Sequence, residues 1–184
     1  IITAILLLVI MDLVKEGIQI HFEDDLTQID KEATVIVYTP AIPSDHKELN
    51  YYKDNDYNVV KRSDVLQWVT ENAFTIGIAG THGKTTTTSM TAHILRHTGY
   101  GCNAFLGGIA SNYDTNFWSH EKNVVVVEAD EYDRSFLKLS PNIAVITAVD
   151  PDHLDIYGTA EEVVNAFGQY ADKIKPGGTL IQKF

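Results

Sequence analysis

Four threonines in a row follow a Gly-Lys pair in "AGTHGKTTTTSM", residues 79–90. Threonine is a mediocre helix former, because its β-branch restricts χ1 against the preceding turn. The flanks nevertheless read as a buried strand, "FTIGIAG" (74–80), running into a helix over 84–98 that Gly99 ends. Hydroxyls and one lysine at such a junction suit an anion. The free N–H groups and the macrodipole of a helix start direct positive potential outward, and glycines let the backbone wrap a phosphate chain. Gly80, Thr81, His82, Gly83, Lys84, Thr85 and Thr86 are therefore the candidate nucleotide contacts. Lys84 is expected to reach the β- and γ-phosphates of the nucleotide, and the Thr85 hydroxyl to ligate Mg²⁺. Thr87 and Thr88 read as ordinary helix residues. The spacing departs from G-x-x-x-x-G-K-[ST], which would place a glycine where Ile78 stands.

Magnesium beside a phosphate chain also needs acidic oxygens at the end of a neighbouring strand. "VVVVEADEYD" supplies Glu128, Asp130, Glu131 and Asp133. Taken alone, such a cluster reads as a solvated strand end. Beside the phosphate loop, Glu128 is the expected ligand, as the first charge after four valines. "VDPDHLD" (149–155) follows the next strand and holds His153 between Asp152 and Asp155, a candidate ligand for a second metal ion. The expected metal set is thus Thr85, Glu128 and His153, and the expected catalytic set Lys84, Glu128 and His153. His93 and His97 share a helix face without a third partner; His21, His46 and His120 read as exposed.

The elements that must position these residues alternate between strand and helix. "DLVKEG" (12–17) reads as a helix end closed by Gly17, "IQIHFED" (18–24) as a half-buried strand, and "ATVIVYT" (33–39) as a strand buried on both faces. Pro40 and Pro43 make a loop, and Ser44 is placed to cap a helix reaching about Asn55. "NVVKR" (58–62) is another strand, and Ser63 caps a helix with an apolar stripe of Val65, Leu66, Trp68 and Val69. Beyond "FTIGIAG", buried strands are expected in "NVVVVEAD" (123–130) and "NIAVITAVD" (142–150). Thr159 and Glu162 form a capping box for a helix, and a last strand starts in "GGTLI" (177–181). Such alternation implies a mostly parallel sheet with ligands at the carboxyl ends of its strands.

The 184 residues leave room for one or two domains, and 45% are hydrophobic. A formal net charge of −11 argues against nucleic acid or an anionic membrane as partner. Cys102 is the one cysteine, so no intrachain disulfide can form; it reads as a small buried residue in a reducing, cytoplasmic setting. "IITAILLLVIM" is too short to span a bilayer, which takes about 20 residues, and reads as a buried element.

"GTHGKTT", "EADEYDRSFLKLSP" and "DPDHLDIYG", in that order, resemble the Mur ligases of peptidoglycan synthesis. "VYTPAIPSDHKELN" and "VVKRSDVL" resemble the family's N-terminal, UDP-sugar-binding domain. The resemblance spans about residues 12–184. It implies an ATP-dependent amide ligase: ATP phosphorylates a carboxylate, and the amino group of an amino acid attacks the acyl phosphate. Carried over by motif, Lys84 steadies the transferring phosphoryl group, Thr85 and Glu128 hold the first Mg²⁺, and His153 the second. A member that recycles tripeptide shares "GTHGKTT" and "EADEYD". The stretch "RSFLKLSPNIAVITAVDPDHLDIYG" is more like members that take UDP-N-acetylmuramate as acid and L-alanine as amine. Later members carry a carbamoylated lysine beyond the histidine motif, and no lysine lies between Lys138 and Lys173. A nucleotide-binding module without ligase activity is the alternative from another class. The fold expected is α/β: a partial Rossmann-like N-terminal domain over 1–72, then a P-loop-type, mostly parallel central domain over 73–184. Set against the family's three-domain plan, the chain is expected to be truncated. By that plan "IITAILLLVIM" is expected to stand where the N-terminal glycine-rich loop belongs, and the family's C-terminal domain is expected to lie outside these 184 residues.

Overall fold

The computed structural model describes residues 13–183 apart from Glu16, Pro40 and Asp133. The expected element over 1–11 and the acid Asp133 lie outside them. The chain divides into two compact units between Arg62 and Ser63.

In the first unit, Gly17 takes a left-handed φ of 87°. Its N–H bonds to the Val14 carbonyl and that of Ile18 to Leu13, the two bonds of a Schellman end. Residues 18–24 are not the expected strand. Asp24 instead turns onto the start of helix α1 (Lys47–Asp54), accepting from the N–H groups of Lys47 at 2.8 Å and Glu48 at 3.0 Å. Those bonds hold its carboxyl below the usual aspartate range. Phe22 and Ile18 consequently stay exposed. The cap of α1 is His46, whose Nδ1 accepts from Leu49 N–H, and not Ser44. Strand β1 (Ile36–Tyr38) pairs in parallel with β2 (Val59–Lys61). Expected to be buried on both faces, β1 leaves Val37 half exposed, so the face that Val37 occupies is open.

Helix α2 (Arg62–Glu71) starts on the last residue of the first unit and otherwise belongs to the second. Ser63 lies within it instead of capping it. Leu66 and Val69 pack on the second unit's core while Trp68 remains exposed, so the contacts divide the chain one helix before residue 72. The following elements are β3 (Phe74–Ala79), α3 (Lys84–His97), β4 (Asn103–Ala110), β5 (Thr115–Trp118), β6 (Val124–Glu128) and β7 (Ile143–Ile146). Then come the single turn α4 (Leu154–Tyr157), α5 (Ala160–Ala171) and β8 (Thr179–Gln182). The sheet order is β5-β4-β6-β3-β7-β8, parallel except for the β4–β5 hairpin. Central β6 alternates its burial: Val125 and Val127 join Phe136, Phe167 and Tyr170 on one face, and Val126 joins Ile78, Ala92 and Leu106 on the other. Covering both faces explains the unbroken valine run. The hairpin was not foreseen: its turn depends on Asp114 at φ 51° and its register shifts between Phe105 and Ala110.

Strands β3, β6 and β7 run parallel, but the connection leaving β3 goes to β4 towards one edge of the sheet and the path leaving β6 goes to β7 towards the other, so the order of winding switches between β3 and β6. Open parallel sheets bind ligands at such a point, outside the carboxyl ends of the strands.

Candidate functional site

The turn leaving β3 needs glycine for two reasons at Gly80. Its φ is 135°, and a Cβ there would stand 2.1 Å from Thr147 Oγ1 and 2.9 Å from Ala148 N. The loop is latched to the strand next door. The Thr147 hydroxyl lies 2.5 Å from His82 O and 3.1 Å from Ala79 O, its single proton shared between the two carbonyls, and Thr81 N–H donates to Ala148 O at 3.0 Å. The Thr81 hydroxyl accepts from Asp150 N–H at 3.1 Å. Gly83, at φ 79°, caps α3 with no side-chain bond, which leaves the first-turn N–H groups open to a ligand.

Lys84 opens α3. Its ammonium donates to Glu131 Oε1 at 2.8 Å, and Glu131 is 1% exposed. Thr85 donates its hydroxyl to Glu128 Oε1 at 3.0 Å, across from α3 to the end of β6. The other oxygen of Glu128 accepts from Gly107 N–H at 2.8 Å. A Cβ on Gly107 would meet that carboxylate at 2.5 Å, so glycine there lets the acid lie against the backbone. Thr86 is exposed and borders a cleft of about 320 Å³ with Ser89, Met90 and Tyr113. Thr88 points the other way: it is fully buried, and its hydroxyl returns to Lys84 O at 2.8 Å.

His153 caps α4 at φ 52°, and its Nε2 lies 3.9 Å from both Glu131 Oε1 and Asp152 Oδ2. It therefore sits beside the Lys84–Glu131 pair, not in contact with Thr85 and Glu128. His82 is exposed, with Nε2 3.9 Å from Asp150 Oδ2. His93 bonds through Nδ1 to Tyr113 Oη at 2.7 Å and stacks on His97.

The residues expected from sequence converge on one sheet edge in two pairs, Thr85 with Glu128 and Lys84 with the neighbourhood of His153. Oxygen donors at the first pair suit Mg²⁺, which takes one or two carboxylates alongside phosphate oxygens and waters. Among the described residues no three His, Cys, Asp or Glu side chains gather into a cage for a metal. Glu131 was visible only as one acid among four; no spacing rule marks which of them turns inward to meet the lysine.

Two family profiles match the chain: the Mur ligase middle domain over residues 78–183, and the Mur ligase family catalytic domain over 8–73. The UDP-N-acetylmuramate–L-alanine ligase of Cytophaga hutchinsonii is 51% identical over 91% of this chain. The match takes in 38% of that relative, so the chain spans about two fifths of the length of the curated relatives it matches. Among solved structures, the UDP-N-acetylmuramate–alanine ligase of Thermotoga maritima superposes with a TM-score of 0.75 at 29% identity, over 92% of this chain and 39% of that one. The UDP-N-acetylmuramate:L-alanyl-γ-D-glutamyl-meso-diaminopimelate ligase of Neisseria meningitides reaches 0.81 at 24% identity, over 94% of this chain and 59% of that one, a likeness of fold.

Proposed function

The chain belongs to the Mur ligase family, and from that premise we propose that it serves an ATP-dependent ligase joining L-alanine to UDP-N-acetylmuramate in peptidoglycan synthesis. The observation that carries the phosphoryl chemistry is the meeting of Thr85 Oγ1 and Glu128 Oε1 beside the glycine-bounded loop and Lys84. Identity of 51% to relatives named for the L-alanine reaction supports the choice of acid and amine.

Two anions must meet, the γ-phosphate of ATP and the carboxylate of the sugar nucleotide. Loop N–H groups at 80–86 and the start of α3 hold the phosphates. Lys84 stabilises the negative charge that develops on the bridging oxygen as the phosphoryl group is transferred. Thr85 and Glu128 would hold one Mg²⁺ and His153 a second, and such ions would supply charge neutralisation there. The carboxylate takes the γ-phosphoryl group and ADP leaves. The amino group of L-alanine then displaces phosphate and forms the amide.

The test is phosphate release from Mg-ATP in the presence of UDP-N-acetylmuramate, with and without L-alanine. Release that requires both substrates is expected. Release indifferent to L-alanine would overturn the ligase reading in favour of a nucleotide hydrolase, and release with a tripeptide in place of L-alanine would move the reaction to recycling.

A further inference from the structure

Glu131 stands three residues beyond the end of β6, and the mechanism above makes no use of it. Its main chain is fixed: the carbonyl accepts from Tyr157 Oη at 2.6 Å and from Arg134 N–H at 3.0 Å. Its side chain is 1% exposed, with Oε1 on the Lys84 ammonium and Oε2 without a hydrogen-bond partner among the described residues. A buried carboxylate in that condition depends on the cation it is hydrogen-bonded to, Lys84, since removing the partner of a buried pair leaves an uncompensated charge, and His153 Nε2 stands off at 3.9 Å from Oε1. Lys84 therefore cannot swing out to a phosphate and leave Glu131 behind. It has no need to, because an ammonium carries three N–H donors and Glu131 takes one.

We infer that Glu131 is a positioning residue for Lys84, anchoring Nζ by one N–H so that the other two face the phosphate loop. A lysine on a flexible stem loses rotamer freedom when it grips an anion. Here most of that freedom is already gone in the folded chain, with the side chain of Lys84 only 15% exposed. The inference rests on the phosphate-loop reading of residues 80–86 and says which acid makes that loop's lysine rigid.

A double-mutant cycle tests it, with Mg-ADP as the probe and calorimetry as the readout. The four proteins are the parent chain, Lys84→Ala, Glu131→Ala and the double variant, each checked for folding by circular dichroism. Lys84→Ala is expected to weaken binding about tenfold or more, and Glu131→Ala about tenfold in the parent background. On the Lys84→Ala background, loss of Glu131 is expected to change the Kd by less than about twofold. An equal loss in both backgrounds would overturn the positioning role and leave Glu131 a structural acid. Tighter binding by Glu131→Ala would also overturn it, since the carboxylate would then be competing with phosphate for the lysine. No effect of Lys84→Ala would instead sink the phosphate-loop reading itself. Should an alanine variant fail to fold, Glu131→Gln and Lys84→Gln repeat the cycle with the shape of the pair kept. The same coupling is then expected at about threefold, and equal shifts in both backgrounds again overturn the role.

Discussion

Thr85→Val keeps the β-branch and the size of an exposed side chain and removes only the hydroxyl that Glu128 receives at 3.0 Å. We expect it to fold as the parent does. The Mg²⁺ concentration giving half-maximal phosphate release should rise about tenfold, equivalent to about 1.4 kcal/mol. An unchanged metal requirement would take Thr85 out of the site. Gly80 makes the complementary point about backbone. Gly80→Ala puts a methyl group 2.1 Å from Thr147 Oγ1 at a φ that L-residues avoid, and should cost roughly 2–4 kcal/mol in urea unfolding. Gly158→Ala shares the positive φ, at 84°, but meets nothing within 4 Å, so only the backbone term of about 1–2 kcal/mol should appear. Equal losses in the two variants would show that crowding by Thr147 does not shape the phosphate loop.

At the scale of elements, α5 is locked to the sheet by Tyr170, which is fully buried, stacks on Phe136 with centroids 5.2 Å apart and lies against Gly77. Its hydroxyl has no partner among the described residues. Burial pushes its pKa well above the usual tyrosine value. The folded state holds the neutral phenol, so this contribution to stability is complete below about pH 10 and is lost as pH rises from there towards the folded pKa. Tyr170→Phe keeps the ring and discards an unsatisfied donor. We expect stability at pH 7 within about 1 kcal/mol of the parent or above it, and a flatter alkaline decline. A loss beyond about 1 kcal/mol would mean that the hydroxyl is bonded after all. Elements such as α5 were legible because their signals are local: a Thr159 cap, a 3.6-residue apolar stripe, a valine run buried from both sides. The same holds for Thr85 and Glu128, whose places follow from a helix start and a strand end. What failed was set by distant partners. Residues 18–24 alternate like a strand, yet Asp24 is recruited to cap α1. Ser44 looks like a cap, yet His46 lies closer to the first free N–H groups. Glu131 turns inward only because Lys84 arrives from another element.

On the scale of the whole molecule, a net charge of −11 repels a polyphosphate at long range, so affinity has to come from the short-range field of the loop, α3 and Lys84. Every bond described for that site lies within the second unit, Ser63–Phe184. Binding that is confined to one folded unit stabilises that unit by mass action, about 2.7 kcal/mol at a hundred times the Kd. The other unit gains only if the two open together. Amide exchange separates these cases. With saturating Mg-ADP we expect slower exchange at residues 80–86, at Gly107 and along β3, β6 and β7, and parent-like exchange over residues 18–62. Protection that spread equally over both units would mean that they unfold as one body, and the first unit would then contribute to nucleotide affinity without touching the nucleotide. Protection of 18–62 alone would place the nucleotide in the wrong unit and remove the phosphate loop from consideration.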